Sequence, residues 1–196
     1  MDPQSREPDF GTGPVQTMLH GIAWIGRAAA WLIIPILAFV LIGVTLSMLK
    51  VGTIFEWEQD IFLFGSKLTL ASLGDLQWHL FGFMLMLTMA GTLVTNNHVR
   101  VDFLRQHMSP RLKRAIDLAG HILFLLPLSA VVIWHGYDFT VRSFTMGEGS
   151  NYDGLYDRFL LKSSIPIGFT LLALAGLGLA AMRLRELLRG DTSEFD

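Results

Sequence analysis

Long apolar runs alternate with short polar stretches along this chain. Four runs stand out, at 28–49, 73–94, 115–134 and 165–182, the first bracketed by Arg27 and Lys50. A helix rises 1.5 Å per residue, so about 20 residues cross a hydrocarbon core of about 30 Å. The spacing predicts four transmembrane helices. Backbone groups cannot stay unpaired in lipid, and no series of alternating ten-residue barrel strands is present. The expected fold class is therefore an all-α membrane protein.

The ends of these helices can be read locally. Ser72 followed by Asp75 has the form of a capping box for the second helix. Ser109-Pro110 places a hydroxyl at the N-cap and a proline at the first helical position of the third. Ser164 and Pro166 are read the same way for the fourth. Pro35 and Pro127 fall inside runs and should bend them. Upstream of the first run, "VQTMLHGIAWIGRAAAW" repeats Met18, Leu19, Ile22 and Ile25 at helical spacing. Two readings stand open: an amphipathic helix lying in the membrane interface, or a first span that starts early. The connections at 51–71 and 136–164 read as long loops mixing aromatics, acids and glycines, and loops of that length are often functional.

Composition supports the membrane reading. Of 196 residues, 52% are hydrophobic and only 16% charged, against about a quarter charged in an ordinary soluble domain. Net charge is −2, and without a long basic tract no nucleic-acid partner is expected. The chain has no cysteine, which excludes disulfides and Cys-ligated metal centres. Residues 1–14, polar and rich in Pro and Gly, read as a disordered cytoplasmic tail, and 190–196 as a second tail around a 15–189 transmembrane domain. With the N-terminus inside, ten Lys and Arg (Arg6, Arg27, Arg100, Arg105, Arg111, Lys113, Arg114, Arg183, Arg185, Arg189) fall on inner segments. Five (Lys50, Lys67, Arg142, Arg158, Lys162) fall on outer ones. That bias places both termini in the cytoplasm, with lipids as an immediate partner.

Polar residues within the runs are costly in lipid and so carry information. Asp75 and His79 share a helix face beside Gln77, and Lys113, Asp117 and His121 repeat the four-residue spacing near the other leaflet. His79 and His135 lie at similar depth on different helices, as a haem held by two imidazoles would require. The plainer alternative is a pair of hydrogen-bonded interfacial histidines. No carboxylate cluster, phosphate loop or nucleophilic triad is present, so no catalytic residue, metal or bound cofactor is expected. Ala173, Gly176 and Ala180 form a small-residue stripe suited to close helix packing, within the bundle or against another protein.

The polar exit of the second run reads "TNNHVRVDFL". Asn96 and Asn97 can end a helix in the left-handed conformation. His98, Arg100 and Asp102 alternate with two valines, with Asp102 a candidate N-cap for the segment that follows. One reading is a tight hairpin whose basic residues face anionic headgroups. "LQWHLF" at 76–81 with "HVRVDFL" at 98–104, continuing through "SPRLKRAIDL" to "KSSIPIGFTLLALAGL", also resembles the small, DctQ-type permease subunit of TRAP transporters, the tripartite ATP-independent periplasmic carriers. The resemblance covers about residues 73–185. It implies a multi-pass subunit of the bacterial inner membrane, not an enzyme, acting as a static scaffold. Its partners would be a large permease subunit, which moves an organic solute on a sodium gradient, and a periplasmic solute-binding protein. It would give His98, Arg100 and Asp102 a locking role at the inner hairpin, and Gln77, Trp78 and His79 a similar role at the outer end. Arg142, Glu148 and Lys162 become candidates for outer docking.

Overall fold

The computed structural model describes residues 13–96, 108–150 and 154–189. Four helical rods are long and apolar enough to cross a membrane among these residues. The first is α1 (Pro14–Ala30) followed by α2 (Ile33–Met48); the second is α3 (Leu70–Val94). The third is α4 (Pro110–Gly120), a π-helical turn (His121–Leu125) and α5 (Leu126–Thr145) in continuous succession. The fourth is α6 (Phe159–Arg189). Four membrane-spanning rods and a high helix content make this the all-α membrane fold that the apolar runs predict.

Two of the rods carry an irregularity next to a proline. Pro35 has no N–H to give the Trp31 carbonyl. That oxygen instead accepts the Ile34 N–H at 3.1 Å, and the rod breaks at Trp31–Leu32 between α1 and α2. Ahead of Pro127 the chain widens into the π turn, where the Leu126 N–H reaches back to the His121 carbonyl. Pro166 lies well inside α6, whose start is Phe159. It is therefore not an N-terminal proline, and Ser164 is no cap: the Ser164 hydroxyl donates to the Leu161 carbonyl at 2.6 Å. The proline ring instead packs on Gly136 of α5.

Two other expectations about helix ends are sorted by hydrogen bonds. At the third rod, Ser109 caps α4 through Leu112 N–H, as its position before Pro110 implies. At α3 the box is displaced. Thr69 is the N-cap, its hydroxyl accepting from Ser72 N–H at 3.1 Å while the Ser72 hydroxyl accepts from Thr69 N–H at 3.2 Å. Asp75 is thereby left out of the cap. At the far end Asn96 takes φ +57°, the left-handed stop expected of it. The 51–71 connection is not a loop. It forms an antiparallel hairpin of β1 (Thr53–Ile61) and β2 (Gly65–Thr69), with Thr53 opposite Thr69 and Ile61 opposite Gly65.

α3 and α6 run parallel at the centre. α1 and α2 run antiparallel along α3, and α4–α5 run antiparallel along α6. The core, Leu19, Ile22, Ala23, Ala90, Val94, Leu172 and Ala175, lies where α1, α3 and α6 meet. The apolar stripe of α1 is thus turned onto two neighbouring helices. α2 is different: Ile36 is its one buried residue, and Ile34, Leu37, Leu41 and Val44 are open. Such all-round apolar exposure needs lipid or another protein around it.

The charges sort by depth. Positions 28–49, 76–96, 118–137 and 163–182, stretches of 20 to 22 residues, carry no Asp, Glu, Lys or Arg. Lys50, Asp75, Asp138 and Lys162 close one end, which carries the hairpin. Arg27, Asp117 and Arg183 border the other, basic end. Hydroxyls inside this belt mostly bond to their own helix, as Thr45 does to Leu41, Thr88 to Met84, Thr92 to Thr88 and Thr170 to Pro166.

Candidate functional site: a polar cap at the hairpin end

At the hairpin end, contacts between residues far apart in sequence fasten the segments into one cap. Asp75, released from capping duty, sends its Oδ2 to the Leu155 N–H at 3.1 Å. Leu155 is fully buried, and its carbonyl accepts the Ser150 N–H at 2.9 Å. The neighbouring Tyr156 donates its N–H to the Leu63 carbonyl at 2.8 Å. Its ring covers Gly65 at the hairpin tip and lies against Gly149. Gly65 has φ +63°, and a Cβ there would sit 2.3 Å from the ring. Only glycine meets both demands. The Trp57 indole N–H bonds the Gly65 carbonyl from within the hairpin.

A second knot joins α5 to α6. Glu148 Oε2 accepts from the Ser143 hydroxyl at 2.6 Å and from the Lys162 ammonium. Lys162 also lies 3.9 Å over the Phe139 ring. Its bond, then that of Ser143, holds the Glu148 carboxyl below the usual carboxylate range against a smaller opposing desolvation. The Glu148 backbone N–H and C=O bond Ser143 and Arg158. Of the three residues expected to dock a partner, the structure joins Glu148 and Lys162 as a pair. It leaves Arg142 exposed on the last turn of α5 and outside that pair.

The other expected residues divide. His79 is buried, and its Nδ1–H donates to the Asp75 carbonyl at 2.7 Å. Its Nε2 is buried with no hydrogen-bond partner among the described residues. His135 is exposed, so the two imidazoles do not share an interior, and the haem alternative gains no support. No group of three His, Asp or Glu among the described residues could hold a metal. Trp78 is exposed and meets Phe81 edge to face, while the Gln77 amide lies against Gly43 of α2. His98, Arg100 and Asp102 lie outside the described residues. In the small-residue stripe, Gly176 and Ala180 are buried and Ala173 is half-buried. Gly176 lies under Leu125 and His121, so the stripe serves this bundle's own packing.

Sequence reasoning missed the structural use of Leu155, Tyr156 and Ser143. It also missed Glu186 at the basic end, which pairs with Arg114 at 3.5 Å and Arg183 at 3.1 Å. The repeated Gly and Tyr of "GEGSNYDGLYD" were the one available signal of a tight turn.

A belt free of charge with a polar cap at one end describes a membrane component. Comparison with family models identifies it: the model of the DctQ component of tripartite ATP-independent periplasmic transporters matches residues 62–186, more than half of the 196-residue chain. The chain belongs to the DctQ family. No curated protein and no solved structure matches it. As a DctQ chain it is the small membrane subunit of a TRAP-type transporter, a multi-pass membrane protein in a family of transporter components. The match begins inside the hairpin, after β1, and ends at Glu186, so it takes in β2, the Asp75, Glu148, Tyr156 and Lys162 contacts of the cap and the Arg114–Glu186 pair.

Proposed function

We propose that this DctQ subunit is the stationary scaffold of its transporter. It anchors the large permease subunit and offers the hairpin-end cap to a periplasmic solute-binding protein during sodium-coupled uptake of an organic, carboxylate-type solute. In this reading both termini are cytoplasmic and the hairpin end faces the periplasm of the inner membrane. The observation that carries the reading is the belt. Four rods share a depth of some 20 residues without a charge, and its hydroxyls mostly satisfy themselves on their own helices. A sodium or carboxylate path needs polar groups turned toward a shared cavity, and this belt supplies little for one. Meanwhile α2 and the outer face of α5 leave broad apolar surface for a permease partner.

The test is reconstitution. In vesicles with an imposed sodium gradient, this chain alone should accumulate no solute, and addition of the large subunit and binding protein should restore uptake. Accumulation by the chain alone would overturn the scaffold role. Failure to copurify with the large subunit would overturn the anchoring role. Docking at the cap is tested separately: Tyr156→Ala should weaken the binding protein's association while copurification persists.

A further inference from the structure

At the basic end, α4 and the last turns of α6 meet through a shielded ion pair, Arg114 with Glu186, whose second partner is Arg183. That contact fixes how both helices are rotated. The two run antiparallel at 100° per residue, so Lys113 and Arg185 leave the seam on the same side, about two residues apart in height. Neither has a carboxylate partner among the described residues. Arg185 is exposed and Lys113 half-buried. Arg111 projects to the opposite side of the seam. The faces turned away from the seam are apolar and open: Leu112 is 49% and Ile116 46% exposed on α4, and Leu184 46% and Leu188 78% on α6.

Exposed apolar side chains this close to unpaired cations are the pattern of a helix end set at the headgroup level, with long basic stems reaching to the phosphates. Water alone would not favour four large aliphatics around three cations, and a soluble acidic partner would not need them. We propose that Lys113 and Arg185 form a two-cation clamp for the phosphate of an anionic phospholipid, seated at the seam between α4 and α6 with its acyl chains along the neighbouring apolar faces. The Arg114–Glu186–Arg183 contact is the brace that holds the two cations on one side of the seam, about two residues apart in height. The site lies outside the cap and does not depend on the docking reading.

The experiment is native mass spectrometry of the full chain in detergent, titrated with phosphatidylglycerol and, in parallel, phosphatidylcholine. The wild type should retain phosphatidylglycerol preferentially. Lys113→Gln and Arg185→Gln should each reduce that preference about fivefold, and the double variant more. Lys113→Arg should keep it, as should Arg111→Gln on the other side of the seam. Glycerol phosphate, which has the anion without the chains, should not compete. No anionic preference in the wild type, or equal loss in Arg111→Gln, would overturn the clamp. So would a double variant that keeps its lipid but no longer copurifies with the large subunit, since the surface would then be a protein interface. Unchanged helix content by circular dichroism separates these outcomes from simple unfolding.

Discussion

A helix contact in which backbone meets backbone should tolerate an added methyl group poorly. Gly26 of α1 faces Gly91 of α3. A Cβ built on Gly26 would lie 2.9 Å from the Gly91 Cα and 3.4 Å from its nitrogen. Both obstacles are backbone atoms, so no rotamer change relieves them. Ordinary carbon contact begins near 3.5–4.0 Å, so the helices must part by roughly 1 Å. A gap of that size forfeits about a quarter to a half of each contact across it. Those contacts include Leu19, Ile22, Ala23, Ala90 and Val94, most of the core. Gly26→Ala should therefore cost about 1–3 kcal/mol, the usual range for overpacking. Gly91→Ala should cost about the same. The double variant should cost much less than the sum, because the first methyl has already opened the space for the second. Gly21→Ala, on the same helix with nothing within 4 Å of its Cβ position, is the control. It should be neutral or stabilising by up to about 1 kcal/mol. Unfolding in mixed micelles, followed through Trp24 and Trp31 fluorescence, reads all four. If Gly26→Ala and Gly21→Ala unfold alike, or the double variant is additive, close packing does not hold α1 on α3.

The cap yields three further expectations. Asp75→Ala leaves the Leu155 N–H without its acceptor, a loss of about 1–3 kcal/mol for a partly buried donor, visible as faster amide exchange over 154–156 with the core unchanged. Gly65→Ala combines a left-handed φ with a clash against Tyr156, so proteolytic nicking at the hairpin tip should rise; Tyr156→Ala should remove the clash and recover part of the loss. Because the Glu148 carboxyl is held below its usual value of 4.5, its pairing stabilises the cap fully above that pH and fades as pH falls through the lowered folded value. Exchange over 143–162 should therefore quicken in that acidic window, and Lys162→Met should blunt the dependence.

The spans were legible because lipid imposes a length and a composition that any reader of the chain can count. Helix ends were legible where the cap is local, as at Ser109 and Asn96. They were misread where a competitor stood nearby. Thr69 and Ser72 form a better reciprocal pair than Ser72 and Asp75, and Pro166 is accommodated inside α6 because Gly136 makes room for its ring. The hairpin was missed because β1 carries Glu56, Glu58 and Asp60, which strands disfavour. Its order comes from Tyr156, more than 90 residues away, and no local pattern announces that contact. The same holds for Asp75 and Leu155, 80 residues apart. The family resemblance rested on 76–81 together with 98–104, the latter outside the described residues, and on the stretches that follow, and the matched range reaches both ends of the bundle.

Those long-range contacts also bear on what the cap can do. A surface loop that orders only on meeting its partner loses conformational entropy at that moment, which weakens binding. Here the order is supplied in advance by the membrane helices: Asp75 belongs to α3, Ser143 to α5 and Lys162 to α6, and each holds a segment between the rods. Helices spaced by close contacts such as Gly26–Gly91 and Gly168–Met86 cannot shift without disturbing the cap above them. A component built this way transmits position rather than motion. That stiffness is what the proposed scaffold role asks of a fixed frame, and what the proposed docking role asks of a landing surface.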